Sequence, residues 1–267
     1  QELFQTLALP LSLVALLSYR FYVKVIEQRP VFELSEQGAL LELGYGMWVG
    51  LALFSVVIAL LSLLGYYQVN GTNSPLVLIP IFTISIFAGF VEEIVTRGII
   101  FRIIEESLGT WIALVISAAL FGFMHLGNDN STMLSSIAIS LEAGVLLATA
   151  YVLTRRLWLP IGIHFAWNFT QGGLFGVPVS GQNFEGLLQA EIIGPELLAG
   201  GEFGPEASIF AVFIGLAVGI YFLIEAAKRD HLISPFWLRA GQGAESREQR
   251  SEVRDQRSEV RIQRTTG

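Results

Sequence analysis

Seven apolar stretches of roughly 20 residues dominate this sequence and restrict the folds open to it. A helix needs roughly 20 mostly apolar residues to cross a hydrocarbon core of about 30 Å. We therefore predict an all-α fold, a polytopic transmembrane helix bundle with about seven spanning helices. The sixth stretch is the shortest, and residues 33–43 or 97–108 leave room for an eighth, interfacial or re-entrant piece. The stretches run approximately over residues 3–26, 44–67, 76–94, 110–126, 133–153, 158–169 and 207–227.

The composition excludes other broad classes of protein. Hydrophobic residues make up 53% of the 267, the mean hydropathy is +0.60 and only 15% are charged, whereas soluble chains carry about 25%. The apolar stretches leave no room for a large soluble domain. The chain has no cysteine, which rules out a disulfide scaffold, a thiolate nucleophile and Cys-ligated zinc. The net charge of −7 argues against a nucleic-acid partner.

Basic residues predict the orientation of the chain, because Lys and Arg near helix ends stay on the cytoplasmic side. With seven crossings, all 16 Lys and Arg fall on one face, and the turns 68–75, 127–132 and 170–206 contain none. This predicts a multi-pass integral membrane protein with its amino terminus outside and its carboxyl terminus in the cytoplasm. In a prokaryote the membrane would be the plasma membrane. The first stretch lacks a basic leader and a small-residue cleavage site, so we expect a retained helix.

The sequence divides into a bundle and a tail. Residues 1–230 are expected to form the membrane bundle, with the motifs between about 76 and 170, and residues 231–267 a polar, charge-rich cytoplasmic tail. The tail repeats REQRSEV at 247–253 as RDQRSEV at 254–260. One Val per seven-residue repeat provides too few apolar contacts for a coiled coil. The outer turn 170–206 is rich in Gly and Pro and holds five Glu without a base, which favours a solvated connector over a lid.

Three polar clusters lie in or beside the predicted spanning helices. An ionisable side chain at membrane depth costs at least about 2.5 to 3.5 kcal/mol on insertion scales, so each needs a partner, a wet cavity or a function. On a helix, Glu93 and Arg97 share a face at the spacing that pairs acid with base, while Glu92 is turned about 100° away. One acid can thus be structural while the other faces a cavity. The clusters are Glu92, Glu93 and Arg97 in EEIVTR, Phe121 and His125 in FGFMH, and His164 and Asn168 in HFAWN.

Each cluster also has a purely structural explanation. The first is compatible with a charge network at a helix end, a lone His is more often a satisfied core residue, and the last pair is compatible with a polar clasp between helices. Together, however, the side chains form a set with chemical uses. A carboxylate can act as general base on water, an imidazole can hold that water, and an amide with a second imidazole can stabilise an oxyanion. This set is sufficient for amide hydrolysis.

The same residues carry a resemblance to a known family. The series EExxxR, FxxxH and HxxxN, on separate apolar helices and in this order, resembles the CAAX protease and bacteriocin-processing (CPBP) family of intramembrane proteases, relatives of the type II CAAX prenyl endopeptidase. The similarity spans roughly residues 76–168. The roles that the resemblance implies are Glu92 as the water-activating base, His125 as the group that positions the water, His164 and Asn168 as the oxyanion site, and Glu93, Arg97 and Phe121 as supporting residues.

A zinc site is the alternative to a metal-free mechanism. Two His and a Glu, here Glu92, His125 and His164, can bind Zn²⁺ with water in the fourth position. The sequence has no HExxH spacing, so these ligands would come from separate helices. The resemblance favours the glutamate-dependent mechanism, and we favour no cofactor while Zn²⁺ stays open.

Helix arithmetic leaves one difficulty. At about 1.5 Å per residue, Glu92 and His164 both fall within roughly 10 Å of the cytoplasmic side, whereas His125 comes out nearer the outer side. Either the fourth helix starts below the membrane plane or is tilted, or the predicted boundaries are wrong. Glu142 is a further acid, in the middle of the fifth stretch. It either pairs with a cavity residue or faces the helix contacts near Gly144, and a direct catalytic role is disfavoured.

The resulting hypothesis is an intramembrane endopeptidase that cuts a membrane-associated, prenylated or leader-type peptide by attack of a Glu92-activated water. Its expected partners are a peptide or protein substrate at the membrane and the lipid bilayer. Two rivals stay open: a non-catalytic immunity or scaffold protein of the same fold, and a proton-coupled transporter, since intramembrane Glu and His also serve proton relays. A transporter often contains internal repeats, and the helical region shows no convincing one.

Overall fold

The computed structural model describes residues 2–239, so the repeat at 247–260 lies outside the described residues. Most of the described residues are helical, which confirms the predicted all-α membrane bundle. Six of the described helices are long and apolar enough to cross a membrane, and a shorter one lies between the last two of them. In chain order the seven are α1 (Glu2–Val25), α2 (Ala39–Leu63), α3 (Pro75–Leu108), α4 (Thr110–Gly127), α5 (Met133–Thr154), α6 (Trp158–Asn168) and α7 (Ile209–Lys228).

Helix α3 is longer than the sequence predicts. It does not end at residue 94 but runs on to residue 108 through two π-helical stretches, Ala88–Glu92 and Ile94–Phe101. No separate piece forms at 97–108, because Arg97 and Arg102 are buried with acidic partners and do not interrupt the helix. π-helical turns are rare and occur frequently at functional sites, and here they carry the EEIVTR motif.

Helix α6, the shortest predicted crossing, packs along α2. Its 11 residues are continued by a π-helical turn, Phe169–Leu174. Glycines bring the two backbones together: a Cβ on Gly46 of α2 would stand 2.4 Å from the Leu159 oxygen, and one on Gly162 of α6 would stand 2.4 Å from the Leu43 oxygen. Small residues allow this close approach between membrane helices. The contact fixes the height and rotation of α6.

Region 33–43 does not contain an eighth crossing. It holds most of a single 3-10 turn, Phe32–Leu34, and the first residues of α2, which begins at Ala39 rather than at residue 44. The turn is anchored to the bundle, because the Leu157 amide donates to the Glu33 oxygen at 2.9 Å. The predicted start of the second crossing was therefore five residues too late, and the extra turn of α2 replaces the interfacial piece.

Ion pairs join the helices at the end of the bundle where the Lys and Arg residues concentrate. Arg102 of α3 pairs with Glu27, which follows α1, and Arg155, which follows α5, pairs with Glu105 of α3 at 2.8 Å. Burial raises the pKa of Glu27, but hydrogen bonds from Arg102 and Arg29 outweigh it and hold that pKa below its ordinary value. These pairs explain how charged residues extend α3 rather than end it.

A two-stranded sheet and a long loop close the opposite end of the bundle. Strand β1 (Tyr67–Thr72) pairs antiparallel with β2 (Leu188–Ile192), with a bulge between Val69 and Gly71. The loop from α6 to α7 is packed against the bundle: Phe203 and Glu206 are each 2% exposed. The expectation of a solvated connector was therefore wrong. We call residues 177–184 of this loop the roof, since several of them line the polar cavity described below.

Candidate active site

The buried half of the first motif is an ion pair inside α3. Arg97 Nη1 donates to Glu93 Oε1 at 2.9 Å, and neither side chain is exposed. This is the acid–base pair that the four-residue spacing predicts. His164 Nδ1 lies 2.9 Å from the same Glu93 oxygen, and because a carboxylate only accepts, Nδ1 carries the hydrogen. Glu93 thus orients the imidazole of α6 and fixes which ring nitrogen faces away from it.

Arg97 also joins α3 to its neighbours. Its Nη2 donates to the backbone oxygens of Ala143 and Gly144 in α5, at 3.2 and 3.1 Å. Its guanidinium carbon lies 4.5 Å from the centre of the Phe121 ring of α4, a cation–π contact that is strengthened where water is excluded. One buried side chain therefore holds three helices in register around the site.

The Glu92 side chain leaves the helix about 100° around the axis from that of Glu93. Its side chain keeps 28% of its exposure, and its Oε2 lies 3.9 Å from His164 Nε2. That Oε2 is buried and has no hydrogen-bond partner among the described residues. The two acids therefore differ in position: Glu93 is bound to Arg97 inside the bundle, whereas Glu92 lines the cavity with its free oxygen.

His125 stands where α4 ends. Its Nδ1 lies 2.7 Å from the Phe121 backbone oxygen, so in the neutral ring Nδ1 donates and Nε2 is the acceptor. The Phe121 ring packs on both imidazoles, with centroids 4.8 Å from His125 and 6.0 Å from His164. Phe121 is therefore the apolar wall between the two histidines.

A cavity of about 170 Å³ brings the predicted residues together. Glu92 of α3, His125 of α4, and His164 and Asn168 of α6 all line it, under Ser180 of the roof. His125 and Glu92 therefore lie at the same level of the bundle. The depth difficulty came from the predicted end of the third helix: Glu92 stands about halfway along the 34 residues of α3, not near its end.

The zinc alternative does not fit the described residues. No group of three or more His, Asp or Glu side chains among residues 2–239 is arranged so that it could hold a metal ion. No step of the mechanism below is therefore assigned to a metal.

A second, smaller cavity lies beside the first and has no counterpart among the sequence predictions. It measures about 20 Å³ and shares His125, His164 and Asn168 with the first, and its wall adds two carboxyls, Glu142 and Glu206. The sequence predicts Glu142 as an acid within the fifth crossing. No sequence pattern indicates Glu206, because no helical spacing connects it with the motif helices and only the packing of the loop buries it.

Comparison with known proteins identifies the segment that holds these motifs. Residues 73–170 match the family model described as "Type II CAAX prenyl endopeptidase Rce1-like". This segment is similar to that family. The predicted resemblance is thereby confirmed for the part of the chain that carries EExxxR, FxxxH and HxxxN. The matched segment contains every residue of the larger cavity that comes from α3, α4 and α6, while the roof lies beyond it.

One curated protein is similar to part of this chain. The chain is 32% identical over 84 residues to "Putative membrane peptidase YdiL" of Bacillus subtilis (strain 168), and the alignment covers 32% of this chain and 32% of that protein. The chain thus aligns with about a third of this relative's length. No solved structure matches the chain significantly.

Proposed function

We propose that this chain is an intramembrane endopeptidase that hydrolyses a peptide bond with a water molecule activated by Glu92. The observation that carries the proposal is the free carboxylate oxygen of Glu92, which faces His164 in a cavity shared with His125 and Asn168. The Rce1-like match over these residues supports the reaction class, and so does the peptidase name of the relative. The family name points to prenylated peptides at the membrane; leader-type peptides fit the same chemistry.

The first step is attack by water on the peptide carbonyl. Water bound between the two groups donates one hydrogen to Glu92 and one to His125 Nε2, which is free because Nδ1 is held by the Phe121 oxygen. Glu92 takes the proton as the water oxygen bonds to the carbonyl carbon, whose π electrons move onto the carbonyl oxygen. General-base assistance of this kind contributes typically about 10²- to 10⁴-fold to the rate.

The second step depends on donors for the oxyanion. His164 Nε2–H and the Asn168 amide lie four residues apart on one face of α6 and line the same cavity. In the imidazolium form, His164 is stabilised by Glu93 at Nδ1, and Glu93 is in turn fixed by Arg97. The oxyanion then collapses, the C–N bond breaks and Glu92 returns its proton to the leaving nitrogen. The products are a new carboxyl group and a new amine, and the enzyme is unchanged.

The test is the substitution Glu92→Gln, which keeps the size of the side chain but removes the base. We expect the rate of cleavage of membrane-tethered peptides by the purified full chain to fall at least about 100-fold, measured by mass spectrometry of the products. The matched control is Glu36→Gln. This acid is on the surface, with 82% of its side chain exposed, and its loss should leave the rate unchanged.

Three outcomes would overturn the proposal. Full activity in Glu92→Gln would remove the mechanism, and loss of activity after treatment with strong chelators would favour the zinc alternative. Absence of cleavage by the unaltered chain across prenylated, leader-type and membrane-anchored peptides would favour a non-catalytic scaffold. A proton-coupled transporter would instead move protons across sealed vesicles, and Glu92→Gln would stop that movement.

A further inference from the structure

Two buried carboxyls beside the active site have no role in the mechanism above. Glu142 of α5 and Glu206 of the loop are each 2% exposed, and neither forms an ion pair with any described residue of the chain. Buried carboxyl groups are costly and are rarely left without a partner or a function. Both line the smaller cavity of about 20 Å³, which is enough room for about one water molecule.

Glu206 fastens the roof to the bundle. Its Oε1 accepts a hydrogen bond from the Ser180 amide at 2.6 Å, and Ser180 lines both cavities. Ser180 has a φ of 48°, an uncommon conformation for a residue other than Gly. Hydrogen bonds from neighbouring residues are therefore needed to stabilise this backbone conformation. The Asn128 side-chain amide provides a second hydrogen bond by donating to the Ser180 backbone oxygen at 3.1 Å.

Glu142 faces the same space from the other side. It lies in a π-helical stretch of α5, Ser140–Gly144, and its Oε2 is buried without a hydrogen-bond partner among the described residues. The basic side chains that face the pair from the neighbouring helices are Arg97, His125 and His164. Arg97 is already bound to Glu93 and to two backbone oxygens, so the pair is left with more acid than base.

We propose that Glu206, facing Glu142 across the smaller cavity, is a proton-dependent latch that holds the roof over the active site. In the closed state Glu206 is protonated and its carbonyl oxygen accepts from Ser180. When Glu206 loses its proton, water solvates the carboxylate better than the buried position does. The roof is therefore released, and the cavity that contains Glu92 opens to substrate. This inference rests on the proposed function only in that the cavity beneath the roof is the site of peptide hydrolysis.

The titration of Glu206 sets the pH range of the latch. Burial raises the pKa of Glu206 from 4.5 to about 7, against hydrogen bonds from Ser180 and Gln171 that lower it. A carboxyl whose pKa is raised in the closed state stabilises that state fully below its ordinary pKa, and the stabilisation is lost as the pH rises to the raised value. Between pH 6 and pH 8 the open population should therefore increase about tenfold, and it should change little above that.

Thiol labelling can measure the opening, because the chain has no cysteine of its own. Val179 is a roof residue that is 6% exposed, so Val179→Cys reports access beneath the roof. Gln182→Cys, in an exposed roof position, reports the intrinsic pH dependence of the thiol. In the full chain in lipid vesicles, we expect the labelling rate of Val179→Cys relative to Gln182→Cys to rise about tenfold from pH 6 to pH 8.

Substitutions of the acids separate the latch from a merely structural role. Added to Val179→Cys, Glu206→Gln is permanently neutral and should keep labelling slow at both pH values. Glu142→Gln places an amide donor opposite Glu206 and should reduce the pH response. The matched control is Glu202→Gln, an exposed acid of the same loop, which should behave as the parent. None of these measurements requires cleavage.

Two results would overturn the latch. One is a labelling ratio in the parent that does not change between pH 6 and pH 8. The other is an unchanged pH response in both Glu206→Gln and Glu142→Gln; if Glu206→Gln fails to fold, the Glu142→Gln response alone decides. The proposed function is tested separately: it fails if the parent chain and Glu92→Gln cleave peptides at the same rate. The two proposals therefore depend on different measurements.

Discussion

Glu92 and Glu93 are neighbours in the chain, yet their surroundings give them different chemistry. Glu93 is fully buried between Arg97 and His164 and uses one oxygen for both. Glu92 keeps contact with the cavity and one free oxygen. The spacing of EExxxR predicts this division, because only one of two adjacent helical residues can share a face with the Arg four positions on from Glu93.

Arg97 should be the most sensitive residue of the supporting set. Arg97→Met leaves Glu93 buried without its base and also removes the donors to two α5 oxygens, and breaking a buried pair costs about 3 to 5 kcal/mol. Thermal unfolding in detergent should show a large loss of stability. Arg20→Met is the control: its bridge to Glu36 involves a mostly exposed acid and should change the free energy of unfolding by at most about 1 kcal/mol. Equal effects of the two substitutions would contradict the role of Arg97.

Helices α2 and α6 set the position of the oxyanion donors. Their glycines leave no space for a side chain at the contact, whereas Gly44, on the same helix, has no atom within 4 Å of an added Cβ. The chain therefore offers two glycines that differ in packing but not in type. This pair separates the effect of helix position from the effect of helix propensity.

Gly46→Ala should displace α6 and slow the reaction. The added Cβ would stand 2.4 Å from the Leu159 oxygen, so the helices must move apart, and a misplacement of about 1 Å can cost about 100-fold in rate. Peptide cleavage should fall by at least about tenfold on this basis, while Gly44→Ala should keep the parent rate. Equal rates for the two variants would show that the helix contact does not position the site.

Apolar length and i to i+4 spacing predict most of the fold and the polar residues that α3, α4 and α6 contribute to the larger cavity. The boundaries of α3 could not be predicted, because the rule that a charge ends an apolar stretch fails when Arg97 and Arg102 are buried with partners from other helices. Glu206 could not be predicted either. Its burial depends on how the loop folds back onto Ser180, a contact that no local spacing encodes.

The whole molecule has two chemically different ends. One end carries the ion pairs of Arg102 and Arg155, and the other carries the sheet and the roof, where the described part of the loop from residue 170 to residue 206 contains five Glu and no Lys or Arg. By the positive-inside rule the roof should face the outside of the cell and both cavities should open toward that side. The same rule predicts that the amino terminus lies outside and the carboxyl terminus inside.

Single cysteines test this orientation in intact cells. Asn183→Cys lies in an exposed position of the roof and Glu36→Cys in an exposed position at the opposite end. An impermeant thiol reagent should label Asn183→Cys in intact cells and Glu36→Cys only after permeabilisation. The reverse pattern would invert the topology, and labelling of both would show that the seven-crossing count is wrong.

The activation of water by Glu92 can be followed directly with an isotope. Purified chain in lipid vesicles is incubated with a membrane-tethered peptide in ¹⁸O-labelled water, and the products are weighed by mass spectrometry before slow exchange occurs. The account predicts that the new carboxyl terminus carries one ¹⁸O atom and that the labelled product appears at least about 100 times more slowly with Glu92→Gln. Labelled product formed at the same rate by both proteins would contradict it.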